Sequence, residues 1–164
     1  MGGVDGVPVE EVRELDVLTL NPLLEASVAE GFALVQRLVN DWASGSNRFD
    51  RPGEALLLAR RGGAIVGVCG LNRDPYANDP HTGRLRHLYV AAAHRRQGIG
   101  CVLVEETVAR AMKSFALLAL RTDSPQAAAF YEALGFARTT ELPSSTHRLD
   151  LTADRSGRGL PAGS

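Results

Sequence analysis

A chain of 164 residues with 45% hydrophobic and 23% charged residues is the size of one ordinary domain and has the composition of a globular protein, not a disordered one. Eighteen basic residues against nineteen acidic ones give a formal net charge of -1, without the basic excess of a nucleic-acid binder. The two cysteines, Cys69 and Cys101, form no C-x-x-C pair, and no Cys/His cluster has metal-ligand spacing; both are expected as buried reduced thiols. No apolar run approaches the roughly 20 residues of a membrane span, and the opening MGGVDGVPVEE lacks the regions of a signal peptide, so a cytoplasmic protein is expected.

In chain order, the Gly-rich start is expected to be loose, and Glu11 to Leu18 is read as a first strand. From Leu24 to Trp42 the apolar residues Leu24, Val28, Phe32, Val35, Leu38, Val39 and Trp42 recur at three- and four-residue steps, predicting one amphipathic helix stopped by Gly45 and Ser46. Ala55–Arg60 and Ala64–Leu71 read as a hairpin around Arg61-Gly62-Gly63. Asn72 to Gly83 is dense in turn formers and reads as a loop, followed by a strand from Arg84 to Val90. Arg96–Lys113 is predicted as a helix with Cys101, Val104, Val108, Ala111 and Met112 on one face, and Phe115–Arg121 as a strand. Ser124, Pro125 and Gly135 mark both ends of another helix. Strands are expected from Phe136 and near Thr146–Leu151, then a disordered tail over 152–164. The order predicts one mixed α/β domain over residues 1–151.

The chemistry concentrates after the fourth strand, where Val90-A-A-A-H-Arg95-R-Q-Gly98-I-Gly100 runs from strand to helix through R-x-x-G-x-G. A helix start leaves backbone N–H groups unpaired and favours anions. Gly98 and Gly100 let a phosphate approach those amides, and Arg95 and Arg96 add charge at the rim. A P-loop is excluded because no Lys-Ser/Thr follows the glycines. A dinucleotide fold is excluded by Leu103 in place of its third glycine and Arg121 in place of its acidic residue.

The same stretch resembles motif A of the GNAT family of N-acetyltransferases, whose turn reads [QR]-x-x-G-x-[GA]. Thirty residues on, Ser124-P-Q-A-A-A-Phe130-Tyr131-E-A-Leu134-Gly135-Phe136 resembles motif B, commonly N-x-x-A-x-x-x-Y-x-x-x-G-F. The resemblance implies a mostly antiparallel mixed sheet, flanked by helices, whose fourth and fifth strands splay apart to admit the pantetheine arm of acetyl-CoA. It implies cofactor contacts from the backbones of Leu88, Tyr89 and Val90 and from the amides of Arg95, Arg96, Gln97, Gly98, Ile99 and Gly100. Ser124 stands where the family's Asn contacts the arm, with a shorter reach, and N-capping accounts for it equally well. Tyr131 corresponds to the tyrosine that serves as acid toward the departing thiolate, and an N–H near Leu88 would bind the oxyanion.

The family's fourth-strand Glu, its usual base, is missing here. His87 is the nearest titratable candidate, although alternation places it opposite Arg86 and Leu88, where packing would also explain it. Asp74, Asp79 and His81 precede the strand. Trp42, Asn47, Arg48 and Phe49 stand near an acceptor mouth, although a helix-end aromatic is more often core, and Arg84 and Arg86 would suit an acceptor bearing a carboxylate, although solvated strand arginines explain them better; neither points to a named substrate. The implied acceptor is an amine of a small molecule or peptide, with neither nucleic acid nor membrane involved and no metal required, in a monomer or homodimer. A domain of this fold that binds acetyl-CoA as a sensor, with little turnover, is the alternative.

Overall fold

The computed structural model describes residues 7–152; the loose start and nearly all of the expected tail lie outside the described residues. Seven strands form one sheet in the order β1-β2-β3-β4-β5-β7-β6, antiparallel except for the β4–β5 pair. They are β1 (Val9–Glu11), β2 (Ala55–Arg61), β3 (Ala64–Arg73), β4 (Thr82–Val90), β5 (Leu117–Leu120), β6 (Ala137–Arg138) and β7 (His147–Asp150). Helices α1 (Asn21–Ala29) and α2 (Leu34–Ser44) belong to a core cluster on one face, with Leu56, Leu58, Val68 and Tyr89 beneath them. Helices α3 (Ile99–Ser114) and α4 (Pro125–Ala133) share the other cluster with Leu57, Cys69, Leu71, Leu85 and Leu118. The alternation of Leu56, Leu57 and Leu58 between the two clusters is the period-two signature of a strand buried on both faces.

Three sequence expectations are corrected. The first strand is Val9–Glu11, paired with Ala59 to Leu57, while Val17–Leu20 is a 3-10 turn that Asp16 caps by accepting from Leu18 N–H at 3.0 Å. The single long helix is two. Gly31 at φ +84° and Phe32 break it, and Val28 and Phe32, assigned to its core stripe, are 54% and 44% exposed. Left-handed backbone cannot continue a right-handed helix, so periodicity ran through a corner that Gly31 makes. Helix α3 begins at Ile99, three residues later than expected, because Arg96 (φ +62°) and Gly98 (φ +83°) are both left-handed. Its buried face runs through Ile99, Leu103, Val104, Thr107 and Ala111, which leaves Cys101 only partly buried; Cys69 is fully buried. Both thiols are free.

The hairpin forms as read: Arg61 pairs with Ala64 across Gly62 (φ +60°) and Gly63 (φ +84°), the pair of left-handed residues that a tight hairpin turn demands. The stretch read as loop is shorter than expected, because β3 extends to Arg73 and β4 starts at Thr82.

Candidate active site

Two irregularities of β4 build the site. First, its parallel pairing with β5 stops at Arg84–Ala119. Beyond that point β5 continues beside β7, and β4 runs on with its outer edge free. Second, its register with β3 slips: Val68 faces Tyr89 but Gly70 faces Arg86, so His87 and Leu88 together oppose Cys69. This is a β-bulge, with His87 in left-handed backbone at φ +61°. A bulge adds one residue to the alternation. Leu88 and Val90 therefore pack with the α3–α4 cluster, whereas Tyr89 joins the α1–α2 cluster.

The hydrogen bonds fix which backbone groups are open. Ala91 N–H donates to Val66 O at 2.9 Å, which makes Ala91 and, two residues earlier, Tyr89 the residues bonded toward β3. The main-chain groups of Leu88 and Val90 then point into the gap. Tyr89, expected among the backbone contacts, turns its main chain toward β3, and its hydroxyl donates to Glu30 Oε1 at 2.5 Å.

Beyond Val90 the chain passes a 3-10 turn, Ala92–His94, and reaches the glycine turn. Val102 N–H makes the first helical bond, to Gly98 O at 3.0 Å, and no side chain caps α3. The amides of Ile99, Gly100 and Cys101 consequently crown a 16-residue helix with the positive end of its dipole. Arg96 and Gly98, both left-handed, turn the chain sharply into that helix start. Gln97 is tied to the β2–β3 hairpin by Arg61, whose guanidinium donates to Gln97 Oε1 at 2.7 Å. A Cβ on Gly100 would meet the Phe130 ring of α4 at 3.4 Å, an ordinary contact distance.

Arg95 is not the free rim charge the sequence suggested. Its Nε donates to Val90 O at 2.8 Å and its two terminal nitrogens grip Glu30 at 2.9 and 2.5 Å. The Arg95 pairing, then the Tyr89 hydroxyl, hold the Glu30 carboxyl below its ordinary range. Glu30 therefore clasps the end of α1 to the cradle. Sequence reading missed it, because a single exposed Glu in a helix carries no pattern; its only signal is its place beside Gly31, where the chain turns.

Helix α4 supplies the remaining groups. Ser124 Oγ accepts from Ala127 N–H at 3.1 Å and Pro125 follows at the first turn, so Ser124 is the helix cap, with its hydroxyl proton free to donate. Tyr131 is 7% exposed, edge-on to Phe130 and Phe136 with ring centroids 5.3 and 5.6 Å away. Burial pushes its phenol well above the usual value, and the Cys69 thiol adds to the shift. Tyr131, Cys69 and Leu88 share the α3–α4 core cluster. Burial likewise raises the Cys69 thiol to about 12, which makes it a packed hydrophobe rather than a nucleophile.

His87 sits on the α2 side. Its ring meets Phe49 edge-on at 5.9 Å, and its Nε2 is buried without a partner. Burial, with the positive charges of Arg86 and Arg37, pulls its pKa down to about 3. His87 packs under α2, opposite Leu88 as alternation predicts, but Arg86 departs from the expectation by lining a cleft on the α2 side with Asp41 and Asn47. Arg84 is 5% exposed and committed, donating to Ser145 Oγ (3.0 Å) and Ser144 O (2.7 Å) and lying 3.5 Å from Asp74. Asp79 caps the loop, accepting from His81 N–H at 2.9 Å, while His81 is exposed. Among the described residues no group of three or more His, Cys, Asp or Glu could hold a metal, and no helix is long and apolar enough to cross a membrane.

Comparisons with known proteins agree with this geometry. The sequence model of the acetyltransferase (GNAT) family matches residues 22–136. A crystal structure of an acetyltransferase-type protein from Exiguobacterium sp. 255-15 is 34% identical, with a TM-score of 0.78 over 88% of this chain and 93% of that one. YncA from Salmonella typhimurium, solved with its cofactor acetyl-CoA, shares the fold at 15% identity, with a TM-score of 0.66 over 91% of this chain and 96% of its own. The N-alpha-acetyltransferase RimI of Mycobacterium tuberculosis is 34% identical over 84 residues, and the chain spans about half the length of that relative (49% of this chain, 50% of RimI). With an open β4 edge leading into an uncapped, glycine-turned helix, and a family match across most of its length, the chain belongs to the acetyltransferase (GNAT) family.

Proposed function

We propose that this protein is an N-acetyltransferase that passes the acetyl group of acetyl-CoA directly to a primary amine within a ternary complex. The observation that carries the reading is the continuity of two features. Strand β4 leaves β5 at Arg84 with the main chain of Leu88 and Val90 open, and then delivers its end to the amide turn at Arg95–Gly100. The pantetheine arm would pair along that edge as an added strand, using Leu88 and the Val90 N–H, while Arg95 already occupies Val90 O. The pyrophosphate would meet the amides of Gly98, Ile99 and Gly100.

In the transfer, the amine lone pair attacks the thioester carbon, and the carbonyl oxygen takes negative charge that the Leu88 N–H would stabilise. Collapse breaks the C–S bond, and the sulfur leaves toward Tyr131. A phenol held protonated by burial donates a hydrogen bond or its proton to that sulfur. Because a thiol near pKa ~8.5 already leaves tolerably, the acid contributes only about 10²-fold.

The amine's own proton is the harder step, since an alkylamine of pKa near ~10.4 is about 0.04% neutral at pH 7. An imidazole held near 3 is a weak base, so His87 is assigned to packing, and the proton leaves through water to bulk. This lack of a nearby base favours a second reading, a binding module of the same fold with little turnover. Thiol release from acetyl-CoA over a panel of amines separates the two. The enzyme reading expects amine-dependent release, with Tyr131→Phe lowering kcat about 10²-fold at unchanged KM for acetyl-CoA. Release indifferent to that substitution would remove Tyr131 from the chemistry.

A further inference from the structure

The cleft beside Arg86 carries polar atoms that nothing in the protein satisfies. It is about 450 Å³, lies between the end of α2 and the outer ends of β3 and β4, and is lined by Asn47, Asn72, Asp74 and Arg86 among others. Asn72 and Asp74 are 7% and 3% exposed, yet Asn72 Oδ1 and Asp74 Oδ2 have no hydrogen-bond partner. Asn47 Nδ2 is equally without one. Buried polar groups are paired in the great majority of cases, and an unpaired one costs about 1–3 kcal/mol. Three such atoms, on residues that all line one cleft, fit a site whose ligand supplies the missing bonds.

The neighbours fix which atoms are free. Asn47 Oδ1 accepts from Phe49 N–H at 3.0 Å, which orients the amide and leaves Nδ2 as the donor. Asp74 Oδ1 accepts from Tyr76 N–H at 3.0 Å and faces Arg84 at 3.5 Å, which leaves Oδ2 as the acceptor. Arg84 is consumed by Ser144, Ser145 and Asp74 and stacks over Tyr76 at 4.7 Å. Arg86 is different: it is half-buried, and among the described residues it makes no ion pair or side-chain hydrogen bond. The cleft therefore offers two hydrogen-bond acceptors, one donor amide and the half-buried guanidinium of Arg86, in a lining that also carries the exposed Arg51 and Arg73 and the carboxylates of Asp41, Asp50 and Glu54.

We infer that this cleft holds the non-reacting end of the acceptor, and that this end is an α-amino-acid group: a carboxylate for Arg86 and Asn47 Nδ2, with an ammonium for Asp74 Oδ2 and Asn72 Oδ1. The inference rests on the acetyltransferase reading and names the substrate class for it. Arg86 precedes Leu88 by two residues, roughly 7 Å of strand, so an amine on a short methylene arm reaches the open edge from this cleft. A guanidinium recognises a carboxylate through paired N–H donors, which explains why the free cation here is Arg. A simple polyamine leaves Arg86 unmatched.

The test uses the full chain saturated with coenzyme A, titrated calorimetrically with L-lysine and with cadaverine, which differ only by the carboxylate. Lysine is expected to bind at least tenfold more tightly. Arg86→Gln should erase that preference, and Asp74→Asn should weaken lysine at least tenfold, while the affinity for coenzyme A stays unchanged in both. Because Asp74 is buried against Arg84, its variant is accepted only if its melting transition remains cooperative. Arg86→Gln, at a half-buried position without partners, decides the matter by itself. Equal or tighter binding of cadaverine, no binding of either, or a preference that survives Arg86→Gln overturns the inference. Failure to bind coenzyme A shows separately in the first step and bears on the acetyltransferase reading instead; lysine titrated into the free protein then still reads the cleft.

Discussion

At the residue scale, position decides what each titratable group can do. His87 looks like a base in the sequence, because its ordinary pKa suits one and no carboxylate competes along the strand. The bulge that makes it left-handed also drives it under α2 against Phe49, where burial holds it neutral. This has a consequence for stability. The unfolded chain protonates this imidazole below its ordinary value of 6.5, whereas the folded chain resists until about 3. In that window the unfolded state binds more protons, so stability falls as pH falls, by at most about 1.4 kcal/mol per pH unit for this group. Melting temperatures measured between pH 7 and pH 4 should therefore decline more steeply for the native protein than for His87→Gln. Parallel curves would show that His87 is not a buried neutral group. The place of Tyr131 on α4, by contrast, was legible from the resemblance to motif B, which fixes its distance from the cap Ser124 and from Gly135, while its acid role rests on the proposed function.

At the element scale, the misplaced helix boundaries and the irregular strand β4 share one cause. Hydrophobic periodicity reports which residues face a core but not where backbone leaves the regular path. Leu24 to Trp42 keeps helical spacing across Gly31, and Arg84 to Val90 keeps strand composition across His87; in both, one left-handed residue changes the direction of the chain. The glycine turn was read as the entrance of a helix, yet the start of α3 was misplaced because Arg96, a residue that seldom adopts positive φ, does so here. The requirement at Gly98 is testable. An L-residue at φ +83° costs about 1–2 kcal/mol, and relief of that strain rotates the amides away from their common focus. Gly98→Val should weaken acetyl-CoA at least tenfold while the protein still unfolds cooperatively. Unchanged affinity in a folded Gly98→Val variant would mean that the pyrophosphate lies elsewhere.

At the scale of the whole molecule, the two halves of the site differ in how far the sequence reveals them. The cofactor side is local: strand, turn and helix are contiguous from Leu88 to Ser114, and α4 follows within a dozen residues. The proposed acceptor cleft is lined from the end of α2, the end of β3 and the β3–β4 connection, so Asn47, Asn72 and Asp74 meet only through the fold. No spacing rule could have joined them. For the same reason Glu30 and Arg95, 65 residues apart, form a clasp that only the closed sheet brings together. The measurement that tests the central claim most directly is a calorimetric titration of the purified protein with acetyl-CoA, run beside free coenzyme A. Saturable binding near one molecule per chain, by both ligands, is the predicted result. A well-folded sample that binds neither would contradict the account, because the open edge and the amide turn would then be serving no cofactor.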